Sequence, residues 1–215
     1  MNNDLVGYYS QRANEYERIY AKPERQEDLG RLRDHLGVFF QGDHVLEVAC
    51  GTGYWTEVVA RSAHSIFATD ITEKILAIAR TKDFGGAAVE FHKADAYALP
   101  KFDGLFNAGF GAFWWSHIPK AKIQDFLTSF HSHLEPGAKV AFIDNRYIEG
   151  NSTPIFRAGE NGDTYQMRTL QDGKLHKVLK NFPSPDELKT TIGDLGIHVE
   201  VTLFEYYWLL TYRTN

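Results

Sequence analysis

Residues Val45-Leu46-Glu47-Val48-Ala49-Cys50-Gly51-Thr52-Gly53-Tyr54-Trp55 decide how the rest of the chain is read. The apolar run Val45 to Val48 has the length and composition of a buried parallel strand. It leads into Gly51 and Gly53, one residue apart, and then into residues that suit a helix. Glycines at a strand-to-helix turn remove the steric penalty on positive φ and let a ligand lie against bare backbone. The stretch therefore predicts a cofactor loop, and its neighbours must say for which cofactor.

Outward from this loop, the pattern alternates. A helix is expected over 53–63, a strand over 65–70, a helix over 72–82 and a strand over 88–94. After Pro100 comes a strand over 104–110. A helix follows Pro119, with Ile123, Phe126, Leu127 and Phe130 on one stripe, and Glu135-Pro136-Gly137 turns into a strand over 138–144. Such alternation implies a parallel sheet covered on both faces by helices. Two helical patterns precede it, through Leu5 to Ile19 and Arg25 to Phe39. Residues 146–183 are polar, with a hairpin signal at Asp172-Gly173, and read as an insertion too small for its own core. Ser184-Pro185-Asp186-Glu187 carries a capping box that opens a last helix, ended by Gly196. The run Ile197–Arg213 is expected to form two strands turning near Glu205, antiparallel because no helix joins them.

The 215 residues bound the chain to one domain, with 43% hydrophobic residues for a core. We divide it into an N-terminal helical lid (1–40), a cofactor-binding core (41–145), a substrate-side insertion (146–183) and a closing helix with its strand pair (184–215). The single cysteine, Cys50, excludes an internal disulfide and fits a reducing compartment. No signal-peptide pattern or membrane-length apolar run is present, so the expected location is the cytoplasm. A net charge of −5 without a Lys/Arg cluster argues against nucleic acid as the main partner. No Cys/His cluster has metal-ligand spacing, and no metal is expected.

Open parallel sheets bind ligands beyond the carboxyl ends of their strands. Glu47, Asp70 and Asp95 fall at the ends of the first three strands. A carboxylate ending the second strand accepts both hydroxyls of a ribose. Its alternative is to cap the following helix from its place before Ile71-Thr72-Glu73. For Asp95 the choice lies between adenine binding and a turn. A dinucleotide loop would need a third glycine where Thr56 stands, and a phosphate loop would need Gly-Lys-Ser/Thr. The loop thus suits a nucleoside without phosphates.

At this point the residues resemble the class I S-adenosylmethionine-dependent methyltransferases. Val45 to Gly53 is similar to the family's first motif, with Glu47 and Ala49 where Asp and Gly are commoner. Asp70 matches the ribose-binding acid, Asp95-Ala96 the adenine-contacting pair, and Leu134-Glu135-Pro136-Gly137-Ala138 the turn before the fifth strand. Tyr8-Tyr9-Ser10-Gln11-Arg12-Ala13-Asn14-Glu15-Tyr16 resembles the tyrosine-rich lid helix of small-molecule members. The resemblance implies a Rossmann-like α/β fold: a doubly wound seven-stranded sheet with an antiparallel last strand, an N-terminal helical lid and, here, a β-hairpin insertion. It implies in-line methyl transfer from S-adenosylmethionine, leaving S-adenosylhomocysteine, in which proximity and alignment are the protein's main contribution.

The resemblance and the strand ends together give the expected cofactor residues as Glu47, Ala49, Gly51, Gly53, Asp70, Ile71, Asp95, Ala96 and Phe110, with Tyr16 and Arg12 from the lid. Tyr8, Tyr9, Phe113, Trp114 and Tyr147 are expected on the substrate side, with Arg157 and Arg168 if the acceptor is anionic. The aromatics of Phe110–Trp115 either shape an acceptor pocket, holding an amine by cation–π contact, or pack the core. His117 is the one candidate general base, against a role in structuring its turn. Asn107-Ala108-Gly109-Phe110 lacks the two prolines of the family's DNA-amine and glutamine methylases. A small-molecule N or O acceptor is therefore favoured, on a monomer or homodimer. The alternatives are a catalytically silent S-adenosylmethionine-binding partner, a protein methyltransferase and, more distantly, a dinucleotide oxidoreductase.

Overall fold

The structure, a computed structural model, describes residues 13–159, 161–169, 173 and 175–215. A seven-stranded sheet forms its centre: β1 His44–Val48, β2 Ser65–Asp70, β3 Ala88–Lys93, β4 Phe106–Ala112, β5 Leu134–Asn145, β9 Gly196–Leu203 and β10 Tyr207–Thr214. Their order is β3-β2-β1-β4-β5-β10-β9. β10 pairs antiparallel with both β5 and β9, while the pairings among β1–β5 are parallel. The order reverses between β1 and β4, so the switch point of the sheet opens directly above the Gly51–Gly53 loop.

Among the described residues the α-helices are α1 Gln26–Phe39, α2 Tyr54–Ala60, α3 Glu73–Ala79, α4 Ile123–His131 and α5 Pro185–Ile192. Strand alternation divides the core into two layers. Val45 joins Leu29, Leu32, Leu36, Val58, Val59 and Phe110 on the α1–α2 side, while Leu46 and Val48 join Phe126, Leu127, Phe130 and Phe142 on the α4 side. Each such fully buried large side chain contributes about 1.5–3 kcal/mol relative to exposure. Glu47 lies between Val45 and Ala49 on its strand and so shares Val45's face.

Several expectations shift by a few residues. Ala13–Ala21 winds as a 3-10 helix rather than an α-helix. It stops at Lys22, which is held extended (φ −65°, ψ 125°) because Pro23 follows. β4 runs to Ala112, past Gly109 and Gly111. An added Cβ there would lie 2.7 Å from Phe130 and 2.7 Å from Phe142 respectively, so glycine is what lets α4 and β5 pack this closely. β5 starts at Leu134 and carries Pro136-Gly137 within it. The register against β4 jumps from Leu134 to Lys139 as the chain bulges at Gly137 (φ 77°). Gly193 (φ 46°), not Gly196, caps α5, and the Ser184–Glu187 capping box that opens it is present in both directions.

The insertion is more than a hairpin. β7 Thr164–Thr169 and β8 Leu175–Leu179 pair as expected, and β6 Ile155–Ala158 adds a third antiparallel strand. The short, wholly exposed β6 has no alternation to announce it. Gly173 has φ 79°, as its turn requires, while its partner Asp172 lies outside the described residues.

Candidate active site

The Gly51–Gly53 loop is built from consecutive left-handed turns. Ala49 (φ 52°), Gly51 (φ 58°) and Gly53 (φ 78°) all lie in the αL region. Ala49 holds this conformation at a cost of roughly 1–2 kcal/mol, strain of the kind concentrated at ligand clamps. A Cβ on Gly51 would meet nothing within 4 Å, whereas one on Gly53 would meet Ala79 at 3.2 Å. Gly53 thus serves packing, and Gly51 leaves bare backbone facing open space.

Asp70, at the end of β2, fastens this loop. Its Oδ2 accepts from the Gly51 N–H at 3.1 Å and its Oδ1 from the Thr72 N–H at 2.9 Å. Burial raises its pKa against those bonds. Asp70 thus orders the loop and closes a turn with Thr72, the residue that precedes α3, and each oxygen keeps lone-pair capacity for a further donor. Ile71 beside it is half-buried. The next strand end is tied in by Ala94 N–H, which donates to the Asp70 carbonyl at 3.0 Å. Asp95 then accepts from the Tyr97 N–H at 3.0 Å, with Ala96 buried behind it. Gly51, Asp70 and Asp95 thus line adjoining strand ends on one edge of the sheet.

Glu47 lies beneath the loop and is 1% exposed. Neither carboxyl oxygen has a hydrogen-bond partner, nor does the nearby Thr56 hydroxyl on α2. Burial, reinforced by Asp70 and opposed by Thr56, pushes its pKa up to about 8. It is a neutral carboxylic acid at pH 7.

The 3-10 segment Ala13–Ala21 lies over this edge. Thr52 Oγ1, in the loop itself, donates to Glu17 at 2.7 Å, and Lys82 Nζ donates to the same oxygen at 2.6 Å. Tyr20 stacks on Tyr54 at 3.9 Å. Glu17 and Tyr20 had no distinguishing signal in the sequence beyond the helical pattern. Tyr8, Tyr9 and Arg12 lie outside the described residues, as does the side chain of Tyr16.

Beyond β4, Phe113 takes a left-handed conformation (φ 57°) and its N–H bonds the Ile143 carbonyl at 2.7 Å. Its ring meets Tyr20, Trp55 and Tyr207 at 5.6–6.0 Å, forming an aromatic wall under the N-terminal segment. Trp114 turns to the opposite layer against Tyr97 and Phe126, and Trp115 packs on Phe142 and Trp208. Phe110 departs from its expected place at the cofactor. It is fully buried, edge-on to Phe40 at 5.5 Å, because its position on β4 points into the α1–α2 layer. Tyr147 is half-exposed against Phe182.

His117 is buried, with Nδ1 2.7 Å from the Leu179 carbonyl, to which it donates. Burial first, and Lys180 second, hold its pKa well below the ordinary histidine range. It thus fastens the 115–117 turn to β8 as a neutral imidazole. Next to it stands a cluster absent from the sequence reading. Lys180 Nζ donates to Asp144 Oδ1 at 2.8 Å and to Ser116 Oγ at 2.5 Å, and Asp144 Oδ2 accepts from the Ser116 N–H at 2.9 Å. Burial pushes Asp144 up, but the charge and hydrogen bond of Lys180, with the Ser116 N–H, outweigh it and its carboxyl stays below the usual range. Arg168, bonded to Gln166 at 2.8 Å, adds a second positive charge felt by both His117 and Lys180. Asp144 stands one residue before the end of β5, much as Asp70 ends β2, a signal that was readable; Lys180 had none. Arg157 lies on the exposed strand β6. Among the described residues no group of three His, Cys, Asp or Glu is placed to hold a metal, and no helix is long and apolar enough to cross a membrane.

Residues 45–137 match the model of a methyltransferase domain family. The chain is 30% identical over 184 residues to a ubiquinone biosynthesis O-methyltransferase of Sinorhizobium medicae, covering 80% of this chain and 70% of that one. It is 30% identical over 153 residues to a demethylmenaquinone methyltransferase of Clavibacter sepedonicus, of whose length it spans 58%. Among solved structures, DhpI in complex with SAH superposes with a TM-score of 0.77 at 30% identity, covering 99% of this chain and 96% of that one. DhpI in a SAM–HEP complex gives 0.79 at 28% identity. The donor these proteins carry fits the residues found here: open backbone at Gly51, an acid at the end of β2 and an unpartnered buried carboxyl beneath the loop. The likeness covers nearly the whole chain, and the chain belongs to the family of S-adenosylmethionine-dependent methyltransferases.

Proposed function

We propose that this chain transfers a methyl group from S-adenosylmethionine to an oxygen or nitrogen atom of a small molecule. The observation that carries the reading is the donor edge, where Asp70 holds Gly51 and leaves its backbone open. When bound, S-adenosylmethionine supplies a methyl group already activated on a positively charged sulfur. Asp70 then orients the ribose hydroxyls, Asp95 the adenine, and the Glu17–Thr52 contact closes the N-terminal segment over the site. Phe113, Trp55 and Tyr20 exclude water, and alignment supplies most of the rate.

The acceptor is held between Phe113–His117 and the three-stranded insertion. At its inner end stand the buried Lys180–Asp144 pair and the Ser116 hydroxyl, with His117 neutral. An oxygen acceptor already ionised at neutral pH needs no general base, which agrees with His117 being spent on the Leu179 carbonyl.

Calorimetry with S-adenosylmethionine tests the donor half, and detection of S-adenosylhomocysteine over carboxylate, phenol and amine acceptors tests the acceptor half. Binding without turnover on any acceptor would favour the silent binding protein. Absence of binding would remove the reading altogether.

A further inference from the structure

Buried carboxyl groups almost always have partners, and an exception calls for an explanation. Glu47 is such an exception. Its two oxygens are buried without a hydrogen bond, at the foot of the loop that meets the ligand. Its strand neighbours are Ala68 on β2 and Phe110 on β4. From α2 it faces the Thr56 hydroxyl, from the end of β2 the Asp70 carboxylate, and from the loop after β1 the buried thiol of Cys50, which feels its charge. No lysine, arginine or histidine among the described residues bonds it. A negative charge at that place would be stripped of water and set beside another acid, so the free protein has nothing to stabilise it.

The ligand brings what the protein lacks. S-Adenosylmethionine carries a positive sulfonium and a positive ammonium, against one carboxylate. We propose that Glu47 is stored as a neutral acid and gives up its proton to solvent when the cationic donor enters, so that cofactor uptake releases one proton. No bond to carbon is made or broken. The carboxylic O–H loses its proton to buffer, and the remaining carboxylate is compensated by the bound cation. This rests on the cofactor reading proposed above. It adds that the first-motif acid acts as a proton-linked charge partner as well as part of the fold.

The test is titration calorimetry at pH 7 with S-adenosylmethionine and with S-adenosylhomocysteine, in buffers of different ionisation heat. The wild-type chain should release close to one more proton per S-adenosylmethionine bound than Glu47→Gln. The ligand's own amine titrates near pH 8, but it does so with both proteins and cancels in the difference. Wild-type affinity should rise about tenfold from pH 6 to 7 relative to the variant and level off above pH 8. Infrared difference spectra of the wild type alone give a readout that needs no variant: the carbonyl stretch of a buried carboxylic acid should disappear on ligand addition. Binding with equal proton counts in both proteins, or a carbonyl band unchanged by ligand, would overturn this inference and leave the cofactor reading standing. No binding by the wild type would overturn both.

Discussion

Replacing Glu47 by glutamine should make the unliganded protein more stable, by an amount that grows with pH. In the folded chain the Glu47 pKa lies at about 8, against an ordinary 4.5. Between these values the native state holds a proton that the unfolded chain has released, so stability falls as pH rises from about 4.5 to about 8 and is constant above. At 1.36 kcal/mol per pH unit the loss is about 1 kcal/mol at pH 5, about 3 at pH 7 and about 5 at pH 9. Glutamine has nearly the shape of the neutral acid and does not titrate. It should therefore match the wild type near pH 4, exceed it by up to about 3 kcal/mol at pH 7, and unfold roughly 6–12 °C higher there. Urea and thermal unfolding at pH 5, 7 and 9 measure this directly. Parallel stability curves for the two proteins, or a glutamine variant less stable at pH 7, would refute the assignment of a neutral Glu47. A stability gain there would also fit the pattern in which functional groups are kept at the expense of the fold.

Asp70→Ala should weaken S-adenosylmethionine binding by about 10- to 100-fold, as expected for losing a charged hydrogen-bonding partner, in calorimetry on a variant that still unfolds cooperatively. Gly111→Ala should cost about 1–3 kcal/mol by denaturant titration, because the new methyl would lie 2.7 Å from the Phe142 ring and within 3.4 Å of Val48. Lys180→Met should cost about 3–5 kcal/mol by leaving Asp144 charged and buried, and adding Asp144→Leu should recover most of that loss. If the double variant is no more stable than the single one, the pair is not what makes Lys180 costly to remove.

The donor half was largely legible in the sequence because its logic is local. Short apolar runs mark β1 and β2, an acid stands at or near the end of each of the first three strands, and Gly51 and Gly53 stand where left-handed backbone is needed. The errors fell where tertiary packing overrides local chemistry. The strand expected over 104–110 stops short of Gly111, yet Gly109 and Gly111 both lie inside β4, where two aromatic rings occupy the space of their side chains. Pro136-Gly137 reads as a turn, yet β5 carries it as a bulge. The acceptor half was hardly legible. Lys180 and Asp144 are 36 residues apart, and neither shows that the other is its partner until the insertion folds back. Phe110 misled for the opposite reason: the right strand end, but the face that points into the core.

That fold-back also has a meaning for the lineage of such chains. The insertion leaves the sheet after Asn145 and returns at Lys180, and a buried ion pair from Asp144 to Lys180 stitches its two ends together. Between them it bonds Arg25 through Asn151, Lys120 through Asp163 and His117 through Leu179, while the hydrogen bonds of Gly51, Asp70 and Asp95 lie elsewhere among the described residues. Closure of such a loop depends only weakly on its length. What lies between the two stitched ends can therefore change in length at little entropic cost so long as the seams at Arg25, His117 and Lys120 are kept. Such a segment is a natural place for one chain to differ from another, because the strand ends bearing Gly51, Asp70 and Asp95 are held by hydrogen bonds of their own.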